Sequence, residues 1–69
     1  MPNADVIGKK IKELRENKNI SRENFCKTVG ISLSALSMYE TGQRVPRDEI
    51  KLSIARCLDV SIEALFFTI

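Results

Sequence analysis

The stretch Ser21–Gly42, SRENFCKTVGISLSALSMYETG, decides the fold. Ser21 offers a hydroxyl that can accept an orphan amide of a first helical turn. Arg22 and Glu23 then face solvent, while Phe25, Cys26 and Val29 recur as the buried stripe of a helix. Gly30 follows where the helix ends, at a position whose left-handed backbone costs a glycine little. Ser32 restarts a helix only two residues later, running to Glu40 and burying Ala35, Leu36 and Tyr39. Thr41-Gly42 ends it. Two short helices joined by so tight a turn are the most informative feature of the chain.

Outward from this pair, the same punctuation predicts three more helices and no strand. Upstream, Ile7, Ile11 and Leu14 recur at helical spacing, predicting a helix from about Asp5 to Lys18 that Asn3 or Asp5 caps and the Asn17–Asn19 region ends. Downstream, Gln43-Arg44-Val45 forms a loop, and Pro46, with no amide proton to lose, suits the entry to a fourth helix. That helix turns Ile50, Ile54, Ala55, Cys57 and Leu58 toward the core. Ser61 caps a last short helix with Ile62, Leu65 and Phe66 inward, and Val60 staples its start. The expectation is an all-α, compact five-helix bundle in a single domain, residues 1–69.

Composition narrows the function. Sixty-nine residues leave no room for a dinucleotide-binding unit, a barrel or a large catalytic pocket. Hydrophobic residues at 43% and charged residues at 29% make a globular balance, not a disordered one. Eleven Lys plus Arg against nine Asp plus Glu give a net charge of only +2, so any nucleic-acid reading must rest on where the charges sit. There is no histidine, which removes Ser-His and Cys-His nucleophile pairs. Cys26 and Cys57 cannot supply four zinc ligands, and they fall at apolar helical positions as small buried hydrophobes. Three scattered glycines, Gly8, Gly30 and Gly42, build no phosphate loop. The expectation is a protein that is not an enzyme, with no cofactor and no small-molecule ligand. No apolar run approaches the ~20 residues of a membrane helix and no signal pattern precedes the first charges, so a cytoplasmic location is expected.

The Ser21–Ser32 segment reads as the second helix and turn of a helix-turn-helix, spanning about residues 21–40, and it continues as LSALSMYETGQRVP to Pro46. Together these strongly resemble the Cro/CI-type (xenobiotic-response-element type) DNA-binding family. The opening IGKKIKELR, from Ile7 to Arg15, resembles that family's first helix. The closing LDVSIEALF, from Leu58 to Phe66, resembles its last turn and helix, so the likeness spans about residues 6–66. Departures are local. Phe25 and Cys26 stand where Leu-Ala is usual, Arg22 stands where many members carry glutamine, and Leu33 and Met38 occupy positions often polar or basic.

The resemblance implies a recognition helix that enters the major groove, with outward residues meeting base edges. With Ala35, Leu36 and Tyr39 inward, that set is Leu33, Ser34, Ser37 and Met38. The serines exchange hydrogen bonds with several bases, and the apolar pair meets thymine methyls. No Arg, Asn or Gln of this helix face can make a bidentate base contact. Phosphate contacts are expected from Arg22, Ser32, Gln43, Arg44 and Arg47, while Lys9, Lys10 and Lys12 read as a solvated face. The family also implies a structural ion pair between Arg15 and Glu40, which locks the recognition helix to its scaffold. Phe66, Phe67 and Ile69 concentrate apolar surface at the C-terminus and are expected at a homodimer interface. The expected function is a sequence-specific regulator of bacterial, phage or mobile-element type, repressing from a palindromic operator as a homodimer. The rival is a protein-interaction module, antitoxin-like or an anti-repressor component, on the same scaffold.

Overall fold

Four helix starts share one device: a side-chain oxygen that accepts the amide three residues on. Asn3 Oδ1 accepts from Val6 N at 2.9 Å, Ser21 Oγ from Asn24 N at 3.1 Å, Ser32 Oγ from Ala35 N at 3.0 Å and Ser61 Oγ from Ala64 N at 3.1 Å. In the computed structural model, which describes residues 3–67, these caps open α1 (Ala4–Asn17), α2 (Arg22–Val29), α3 (Leu33–Glu40) and α5, a single π-type turn (Glu63–Phe67). The remaining helix, α4 (Asp48–Leu58), starts without a side-chain cap at Arg47. Pro46 is buried one residue ahead of that start and does not itself open the helix. The all-helical architecture expected from the sequence is the one observed.

Helix ends follow the same local logic. Gly30 sits at φ 84°, and the Cys26 carbonyl accepts from both Gly30 N (2.8 Å) and Ile31 N (3.0 Å). That double acceptance satisfies an orphan carbonyl of α2 and turns the chain toward α3. The ends of α1 and α4 are followed by left-handed residues that are not glycine, Asn19 at φ 57° and Asp59 at φ 56°. Short polar side chains tolerate this region better than others do.

The core gathers Ile7 and Ile11 of α1, Phe25, Cys26 and Val29 of α2, Leu36 and Tyr39 of α3, Ile54 and Leu58 of α4, and Leu65 and Phe66 of α5. Leu14, Ala35, Ile50, Cys57 and Ile62 pack against it only half-buried. Val60 packs there too, beside the start of α5. One core member was hidden by its charge. Lys51 is buried on α4, its ammonium 5.5 Å from the Phe66 ring centre, 5.2 Å from that of Phe67 and 3.8 Å from Asp48 Oδ1. The cation is held by two ring faces and one carboxylate.

Phe66 is completely buried by its own chain, which corrects its expected place at a dimer interface. A ring enclosed by intrachain packing has no surface to give a second copy. Phe67 remains 47% exposed, and Ile69 lies outside the described residues. No helix among the described residues is long and apolar enough to cross a membrane.

Candidate nucleic-acid interface

The inner side of α3 is fastened by groups that touch nothing outside the chain. Gly8 of α1 approaches the end of α3 so closely that a Cβ there would lie 2.4 Å from the Tyr39 carbonyl oxygen and 2.8 Å from that of Glu40. Only a residue without a side chain admits this backbone-to-backbone contact. One and two turns further along α1, Ile11 is fully buried and Arg15 is nearly so. Arg15 Nε donates to Glu40 Oε2 at 2.8 Å, and its Nη1 donates to the Ile20 carbonyl at 2.9 Å. Both side chains of this pair are more than nine-tenths buried, so each charge depends on the other. Glu40 is therefore turned to the scaffold, away from the outer face.

The outer side is open. Leu33 is 46% exposed, Ser34 is exposed, and Ser37 and Met38 are half-buried. These four residues stand in one row, on the side of α3 opposite Leu36 and Tyr39. The row is stiffened at its C-terminal end. Thr41 Oγ1 donates to the Ser37 carbonyl at 2.7 Å and accepts from Gln43 Nε2 at 2.9 Å. The Met38 carbonyl accepts from Gln43 N at 2.8 Å and Arg44 N at 3.3 Å, which folds the loop back beneath the helix. Arg44 of that loop and Arg47 at the start of α4 are exposed, each without an ion pair among the described residues. At the opposite end of the row Ser32 caps α3, and its exposed N-terminal turn presents the positive end of the helix dipole.

Arg22, expected among the phosphate contacts, opens α2 with its side chain turned toward α3. Its Nη2 donates to Ser37 Oγ, so the guanidinium reaches from α2 across to the middle of the outer row of α3. A face of α3 that carries no bidentate group of its own thus receives one from the neighbouring helix. The sequence holds no local signal for this, because the partners are fifteen residues apart and meet only through the angle between α2 and α3. Beneath Arg22, burial pushes the Cys26 thiol up from its ordinary pKa, and the Arg22 charge partly offsets that. The Cys26 Sγ sits 3.5 Å from the Ser32 carbonyl, as a buried donor rather than a nucleophile. Burial likewise raises the Cys57 thiol, against a smaller opposing effect of Lys18.

A helix-turn-helix family model matches residues 11–65. The chain is similar to the HTH-type transcriptional regulator YazB of Bacillus subtilis, 36% identical over 62 residues that span 90% of each chain. Among solved structures it superposes on the restriction-modification controller protein C.AhdI of Aeromonas hydrophila with a TM-score of 0.84 at 30% identity, over 91% of this chain and 96% of that one. It superposes on the P22 c2 repressor, solved in complex with a synthetic operator, with a TM-score of 0.85 at 27% identity, over 90% and 94% of the two chains. Antitoxin PezA of Streptococcus pneumoniae is 38% identical over 56 residues, which cover 81% of this chain and 35% of PezA. With α2, the Gly30 turn and α3 arranged as described, the chain belongs to the Cro/CI-type helix-turn-helix family of DNA-binding transcriptional regulators.

Proposed function

We propose that this protein is a sequence-specific repressor that occupies a palindromic operator as a homodimer. The observation that carries the reading is the outer row of α3, four side chains turned off the core on a helix locked from behind by Gly8 and the Arg15–Glu40 pair. A helix so presented suits the ~12 Å width of the major groove. Ser34 and Ser37 would exchange hydrogen bonds with base edges, and Leu33 and Met38 would meet thymine methyls. Ser32 and Gln43 with Arg44 and Arg47 would take phosphates.

The longest dimension of the molecule is 28 Å, shorter than the ~34 Å between half-sites one DNA turn apart. One copy therefore reads one half-site, and discrimination calls for two. Phe67 offers a large exposed apolar group for that pairing. Selection of bound sequences from random duplexes tests the reading. An inverted repeat should be enriched, with affinity falling steeply as salt rises. A bound pool of unchanged, random composition would refute it. Sedimentation of Phe67→Glu, whose carboxylate can still pair with Lys51, should show loss of dimer with helical content kept.

The likeness to PezA favours a second reading, an antitoxin-like interaction module in which Leu33 and Met38 cover a protein partner. The chain spans about a third of PezA, and the same selection separates the two readings.

A further inference from the structure

Among the described residues, one cation reaches the outer row of the recognition helix, and α3 does not supply it. We infer that Arg22 reads a guanine of the operator in the major groove, with Ser37 as its positioning residue. The inference rests on the regulator reading above and deepens it by naming a base and the group that recognises it.

The argument starts from donors. A guanidinium carries five N–H groups in a planar fork, and Ser37 Oγ is the hydrogen-bond partner that Arg22 has among the described residues. No carboxylate pairs with it there: the ion pairs join Arg15 to Glu16 and Glu40, and Lys51 to Asp48. The fork therefore keeps most of its donors, and its full charge, at an exposed position. Ser37 lies one helical turn beyond Leu33 and next to Met38, at the middle of the row that would face base edges. The contact with Ser37 turns the Arg22 guanidinium toward the middle of that row.

Base chemistry then selects the ligand. Guanine presents O6 and N7 as two adjacent acceptors in the major groove, and the arginine fork matches them with two parallel bonds. Adenine and cytosine each place an amino donor there, which an all-donor guanidinium cannot use. Thymine offers a single carbonyl. The anchor on Ser37 fixes one arm of the fork before DNA arrives, so less side-chain freedom is lost on binding.

The test uses the whole chain, random-sequence duplexes, and then the selected duplex with the implicated guanine replaced by 7-deazaguanine, which lacks the N7 acceptor. Wild-type protein should require a guanine at one position per half-site and lose about ten-fold in affinity or more on the deaza duplex. Arg22→Ala removes every donor of the fork and should lose that requirement while largely keeping the salt dependence. Ser37→Ala should weaken the guanine requirement at that position, besides any preference at the base that Ser37 itself meets, with the salt slope unchanged. Arg44→Ala serves as the contrast, lowering the salt slope by about one per protomer with sequence preference intact. Circular dichroism of each variant establishes that it is folded. If Arg22→Ala behaves as Arg44→Ala does, with a lower salt slope and the sequence preference intact, the arginine is a phosphate contact and the inference is overturned. A selected operator with no guanine requirement would overturn it and leave the regulator reading standing. Failure to enrich any sequence would defeat both.

Discussion

The two sides of α3 are built on opposite rules. Inside, Tyr39 and Glu40 meet α1 through a glycine that leaves no space for a methyl group and through an ion pair sealed from water. Outside, Leu33 and Ser34 are exposed and Ser37 and Met38 half-buried, and the side-chain contact from Arg22 joins an exposed group to a half-buried hydroxyl. The inner side tolerates almost no change because each group there was placed for one partner. The exposed positions of the outer side should change at little cost to stability. On the proposed reading, the position of the helix and the identity of its reading residues are set by different atoms.

The largest effect should come from breaking the inner ion pair. Glu40→Gln leaves the Arg15 guanidinium buried without a counter-charge, at a cost of about 3 kcal/mol. For a domain of this size the melting temperature should fall by roughly 10 °C or more before any DNA is added. A variant of wild-type stability that no longer binds DNA would instead put Glu40 on the outer side. Gly8→Ala comes next. Alanine gains up to ~1 kcal/mol of helix propensity, but its Cβ drives into the Tyr39 carbonyl, and overpacking of this kind costs ~1–3 kcal/mol. Chemical denaturation should show a net loss of roughly 1 kcal/mol, with α3 displaced enough to weaken binding. An increase in stability would show that α1 and α3 separate easily. The smallest of the three is Ser32→Ala, which removes the α3 cap and should cost about 1 kcal/mol. Amide exchange read at Ala35 should quicken first.

These contrasts also mark what the sequence makes legible. Caps, the Gly30 turn and the inward stripes are local, so Ser21, Ser32, Ser61, Phe25 and Leu36 fall where propensity and periodicity place them. Lys51 did not, although it lies three residues before Ile54 and four before Ala55 on the buried side of α4. Its charge masked a position that spacing alone would have assigned to the core, and the aromatic pair that accommodates it lies on another element. Its sequence context suits Phe66 to core and interface alike, and the packing of α5 makes it core. The closeness of Gly8 to α3 and the reach of Arg22 to Ser37 depend on how helices cross. No window of sequence contains that angle. The fold is legible because its signals are local, and the candidate site is legible only on the helix that carries most of its residues.

The central claim is that stability resides on one side of α3 and recognition on the other. The most direct measurement pairs thermal unfolding with binding to a selected duplex for the Leu33→Ala/Ser34→Ala variant. Exposed substitutions away from structural partners should each change stability by no more than about 0.5 kcal/mol. The account predicts a melting temperature within a few degrees of wild type and an affinity reduced toward that for random DNA. Unchanged stability with undiminished preference for the selected duplex would contradict it.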